Sequence, residues 1–167
     1  MRERGASSVW LLLLAAAAAA FIWATSRQLP PLVASHFGAG GIANGFVLHR
    51  RYVFAVLFLS IAPALAIVLP MNFALGNPNA RINLPNRDYW LAPERRAATV
   101  EVIRTQMLRF GTALIVFFCY VHWLVVEANR QSPPRIPGPA FVSAVVVFVG
   151  FLIVWTAIYY THFRKPP

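Results

Sequence analysis

The sequence predicts an all-α integral membrane protein, a four-helix bundle with an irregular Pro/Gly outer loop and a cytoplasmic amphipathic segment. Three observations lead there. Hydrophobic residues make up 59% of the 167-residue chain and only 12% are charged, with a mean hydropathy of +0.61. A soluble domain carries about 25% charged residues, so the composition falls outside that class. Four apolar stretches approach or exceed the ~20 residues that carry a helix across a bilayer. The segments between them hold most of the prolines, glycines and charges.

The net charge of +10 does not point to nucleic acid, because no basic helix is interleaved with aromatic residues. The basic residues flank the apolar runs, where topology signals and anionic headgroups place them. The expected partner of this surface is the lipid bilayer. A single cysteine, Cys119, sits inside an apolar run and cannot form an internal disulfide.

Arg2, Glu3 and Arg4 precede the run Val9–Thr25. A cleavable signal peptide fits this beginning as well as a retained first span does. The length of the run, and Trp10 and Trp23 at its two ends, favour retention. Within it, Ala15–Ala20 would let a neighbouring helix approach closely, as small residues do in membranes, or would serve only as apolar filler. Leu29-Pro30-Pro31 then stops the helix, since proline lacks the amide donor and disfavours a helical residue before it. His36 and Phe37 lead into Gly38, Gly40, Gly41 and, after Asn44, Gly45. The expectation for residues 26–52 is a shaped, non-helical loop closed by His49-Arg50-Arg51-Tyr52 at a membrane boundary.

The second span is expected over Val53–Leu75 and contains Pro63 and Pro70; Pro63 is the more central kink, a packing feature rather than the opening of a polar cavity or hinge. Gly76-Asn77-Pro78-Asn79 reads as a turn. Residues 76–106 form an interfacial region: Pro85, Asn86, Tyr89 and Trp90 beside Arg87 suit the membrane surface. Pro93 opens an amphipathic helix with Val100, Ile103 and Met107 on one face and Arg95, Arg96, Glu101 and Arg104 elsewhere. That helix runs directly into the third span, about Met107–Val126. A proline-rich connector, Ser132–Pro139, is expected to be stiff and extended. The fourth span is Ala140–Tyr160, completing the region 107–167.

Four spans place both termini on one side. That side collects ten of the fifteen basic residues, which by the positive-inside tendency makes it cytoplasmic and the His36 loop external.

The stretch LPPLVASHFGAGGIANGF (Leu29–Phe46) resembles the loop pattern of the DUF1648 family. The matching positions are Leu29, Pro30, His36, Phe37, Gly41, Gly45 and Phe46, the last in place of tryptophan. Ala34 stands where a second proline is usual and Asn44 where an aspartate is usual. The resemblance covers roughly residues 10–70 and makes residues 1–75 a DUF1648-like region. It implies a small bacterial inner-membrane protein related to the amino-terminal part of SdpI-type immunity proteins.

The side-chain inventory offers little for catalysis. Five carboxylates are present, three of them in the arginine-rich segment, and no nucleophile motif, phosphate-cradling loop or clear histidine–carboxylate pair emerges. Glu127 near His122 is the one exception. A haem between His122 and His162 would need ligands at one depth, which the topology does not supply. His36, His49 and His122 with Cys119 have the chemistry of a zinc or copper site. No two of the loop ligands have a recognised metal spacing, and the family carboxylate is replaced by Asn44. The expectation is no cofactor, and a His36 that ties the loop's two arms through backbone hydrogen bonds. The functional reading is a membrane-embedded recognition protein with a membrane-protein or peptide partner. An accessory subunit of a larger complex is the alternative, and a small lipid- or cofactor-handling enzyme the weaker one.

Overall fold

The computed structural model describes residues 2–77 and 82–164, with side chains from residue 8 onward. Pro78 and Asn79 of the expected turn, Arg81, Lys165 and the side chains of Arg2 and Arg4 lie outside the described residues. The element order is α1 (Arg2–Ser26), β1 (Leu32–Phe37), β2 (Ala43–Leu48), α2 (His49–Gly76), α3 (Arg87–Trp90), α4 (Pro93–Asn129) and α5 (Gly138–Arg164). Four of these helices are long and apolar enough to cross a membrane, the character of a multi-pass membrane protein.

The helices follow from leucine-, alanine- and valine-rich runs that leave no backbone group for an apolar solvent to strand. Each span is longer than its apolar run, because the flanking polar residues continue the helix. α4 joins the amphipathic segment to the third span without a break, as its spacing predicts. Val100, Ile103 and Met107 are buried, and so is Arg104. The expected amphipathic face is corrected here: position 104 follows Val100 by four and precedes Met107 by three, which puts it on the inward side. Pro63 and Pro70 both lie inside α2, which continues past them.

The central packing is a triangle of α1, α2 and α4, with α5 lying along α4 outside it. Ala15 and Ala18, three residues apart, face the core together with Leu11, Ala64, Val68, Ile103 and Ile115. The alanine run thus serves close approach on one face, while Ala16 and Ala17 stay exposed. The start of α1 and the end of α5 lie at one end of this bundle and the β1–β2 connection at the other, about 37 Å away along α1.

The irregular loop is corrected to an antiparallel hairpin, β1 paired with β2. Its register runs Leu32↔Leu48, Val33↔Val47, Ala34↔Phe46, His36↔Gly45 and Phe37↔Ala43. Ser35 on one strand and Asn44 on the other are left over as bulges, and the two offset one another so that pairing resumes at the tip. The turn closes through Gly41 N–H to Gly38 O at 2.8 Å.

Candidate functional site

At the hairpin end, the inner face of the sheet sits on the bundle. Val33 packs with Tyr52, Val125 and Val126, and Phe37 anchors between this cluster and the one around Leu124, Ala128 and Ile136. Asn129 holds the strand as a peptide group would: its Nδ2 donates to Ala34 O at 3.0 Å, and its Oδ1 accepts from Ala34 N–H at 2.9 Å. His49 N–H donates to Pro31 O, so β1 is tied to the start of α2 as well.

The proline-rich connector forms a third margin of the hairpin. Ile42 bridges Arg135, Ile136 N–H donates to Gly41 O at 2.9 Å, and Ala43 N–H donates to Pro134 O at 3.1 Å. Gly41 has φ +75°, and a Cβ there would lie 2.9 Å from Ile136 O. Backbone angle and close approach both require glycine at this position.

Beneath the sheet lies a polar triad. The His122 ring, 1% exposed, has Nε2 2.8 Å from Thr25 Oγ1 and Nδ1 2.9 Å from Tyr52 Oη. Thr25 is at the end of α1, Tyr52 at the start of α2 and His122 on α4, so one ring joins all three core helices. Directions can be assigned. Thr25 Oγ1 stands 2.7 Å from Phe21 O, an acceptor only, so its hydrogen points there. Oγ1 therefore accepts from His122 Nε2–H, and Nδ1 accepts from the Tyr52 hydroxyl. Tyr52 also stacks on the imidazole, and Phe21 meets it edge-on.

Tyr52 and His122 floor a cleft of about 400 Å³ whose upper wall includes Ser35, His36 and Arg51. His36 Nδ1 is 3.0 Å from Ser35 Oγ. That neighbour contact corrects the expected tie between the loop's arms; the backbone pairing of β1 with β2 joins the arms instead, and Asn129 fastens β1 to α4. Gly45 lies across from His36, with room for no Cβ, since one would stand 2.9 Å from His36 Cβ. Asn44 is exposed on its bulge and Pro30 is half-buried before β1. Glu127 pairs with Arg130, which also reaches Gln28, and so is not the partner of His122. Among the described residues, no three His, Cys, Asp or Glu side chains are grouped to hold a metal ion.

The other predicted residues gather at the terminal end. Asn86 adopts φ 50° and directs Nδ2 to Phe163 O and Arg164 O, at 3.2 and 2.6 Å. Trp90 Nε1–H donates to Phe163 O at 3.1 Å while its ring stacks on His162. These donors satisfy the last carbonyls of α5, which a helix end leaves without partners. Arg95 lies 4.0 Å from the Tyr89 ring centroid and donates from Nε to Tyr89 O. Pro85 is exposed at the turn before α3.

The chain therefore gathers its candidate residues at two ends rather than one. Sequence reasoning does not single out Thr25 or Tyr52 as site residues. An ionisable His122 within a span is the signal that could prompt a search for them. No family model matches the chain, and neither curated proteins nor solved structures give a match.

Proposed function

We propose that the chain is a membrane-embedded recognition protein, of the immunity or signalling kind that the loop resemblance implies. In this reading it sits in a bacterial inner membrane with both termini in the cytoplasm and the hairpin outside, supported by the distribution of the fifteen basic residues. The observation that carries the reading is the cleft under the hairpin, where His36 and Arg51 stand above the Tyr52–His122 pair. Outside the cleft the hairpin exposes Leu32, Phe46 and Leu48 on a backbone that Asn129 fixes to α4. An apolar row beside basic and hydroxyl groups suits a segment of a membrane-protein or peptide partner, and no catalytic step is assigned.

The test is a benzophenone side chain placed at Leu48 and, separately, at Val147 on the outer flank of α5, with irradiation in intact membranes. Leu48 should give one discrete protein or peptide adduct that weakens in Arg51→Gln, whereas Val147 should give lipid adducts. Lipid adducts alone at Leu48 would overturn recognition through the hairpin. The accessory-subunit reading has support from α5, which packs on α4 and leaves Val142, Val146, Ile153 and Val154 uncovered. A stoichiometric adduct from Val147 would favour it.

A further inference from the structure

A second cleft, of about 400 Å³, opens between the end of α1 and the beginning of α2. One end is polar: Ser26, Arg27, His49 and Arg50 line it. Ser26 is only 2% exposed, yet its Oγ has no hydrogen-bond partner, and neither has the buried Nε2 of His49. Thr25, one residue earlier, shows the usual solution for a helical hydroxyl by donating back to Phe21 O. Two unpartnered buried polar atoms at one cleft are costly unless something supplies the missing bonds.

The electrostatics name the sign of what is missing. The helix α2 begins here with Leu48 as a cap that offers no side-chain bond and with no acidic residue in its first turn. Its first-turn amides and its positive dipole end coincide with His49, Arg50 and Arg51. Among the described residues, neither Arg27 nor Arg50 has a carboxylate partner. The other end of the cleft is apolar, lined by Trp23, Val53, Phe54 and Leu57. Trp23 and Phe54 continue onto the exposed flank of the bundle beside Phe58.

From this arrangement we propose that the cleft binds an anionic phospholipid of the surrounding bilayer. The phosphate sits at Ser26, Arg27, His49, Arg50 and the start of α2, and an acyl chain lies along Trp23, Val53, Phe54 and Leu57. The apolar stem, open to the face that a bilayer would cover, is what selects a lipid over a free anion. This site is separate from the cleft under the hairpin and stands whether or not that one recognises a partner.

The experiment uses the full chain, delipidated in mild detergent, with phosphatidylglycerol or phosphatidylcholine added back and read by native mass spectrometry and thermal stability. Phosphatidylglycerol should be retained and should raise the melting temperature more than phosphatidylcholine. In Arg27→Gln/Arg50→Gln its affinity should fall about tenfold or more and the preference should vanish. Ser26→Ala should weaken it by less, and Arg130→Gln, at the same end but outside the cleft, should leave it unchanged. Equal retention of the two lipids by the unaltered chain would overturn the proposal without recourse to any variant. So would a preference that survives in the double variant or is lost equally in Arg130→Gln. Inorganic phosphate alone should not stabilise the protein; stabilisation equal to that by the lipid would assign the cleft to a soluble anion instead.

Discussion

At the terminal end of the bundle, Asn86 and Trp90 direct their donors to the last carbonyls of α5, and Tyr89 is covered by Arg95. At the hairpin end, Asn129 fixes Ala34 of β1 and the His122 triad joins the three helices, while Leu32, Phe46 and Leu48 remain uncovered. Both ends are rich in polar contacts, and at the hairpin end a fixed strand carries an exposed apolar row. Aromatic residues beside arginine in a sequence thus mark two different situations: Trp90, near Arg87, joins a clasp on the end of α5, and Tyr52, next to Arg51, turns into the core to meet His122. The distinction lies in where the backbone donors and acceptors go, which residue type alone does not reveal.

The largest expected effect comes from His122→Ala. Two interhelical hydrogen bonds are lost, at about 0.6–1.7 kcal/mol each in a membrane setting, and a cavity opens among α1, α2 and α4. A total of about 3 kcal/mol should appear as a clear drop in melting temperature in detergent, and His122→Phe, which fills the space but restores neither hydrogen bond, should recover part of it. A change below about 0.5 kcal/mol, the range of an ordinary surface substitution, would show that the triad does not hold the three helices together.

Trp90→Phe should cost less, about 0.5–1.5 kcal/mol, because it removes one hydrogen bond to Phe163 O and keeps most of the ring contact with His162 and Phe163. The signature is local. Amide exchange in the last turn of α5 should quicken, while exchange across β1 and β2 stays as it was. Quickening at the hairpin instead would show that the two ends are coupled rather than separately closed.

How much of this is legible in the sequence differs between the ends. The four spans follow from apolar run length, and the passage from amphipathic segment into third span follows from the spacing of Val100, Ile103 and Met107. The hairpin is hidden because burial in β1 does not alternate, and in β2 it is Phe46 and Leu48 that alternate outward, so neither strand shows an apolar-in, polar-out pattern. The connector's bond to Gly41, and the meeting of Thr25, Tyr52 and His122, join positions far apart in the chain; apart from an ionisable His122 inside a span, local pattern carries no sign of them.

The smallest effect is expected at His36, the residue that sequence reasoning makes the centre of its loop. The residue is exposed, and among the described residues its ring bonds to Ser35, its neighbour, rather than to the second strand. His36→Ala keeps the Cβ that fills the space opposite Gly45 and loses one solvent-exposed hydrogen bond, for a change within about 0.5 kcal/mol. Gly45→Ala is the sharper probe of the same contact. Its new Cβ would stand 2.9 Å from His36 Cβ, an atom fixed to the strand, so the strands must part or the bulge must shift. Overpacking of this kind costs about 1–3 kcal/mol, several times the loss from removing the imidazole. Thermal stability of both variants in the same detergent decides the matter. If His36→Ala proves the more damaging, the imidazole itself braces the hairpin. If Gly45→Ala does, His36 is free of structural duty, and an altered Leu48 crosslink in His36→Ala would then report on recognition rather than on folding.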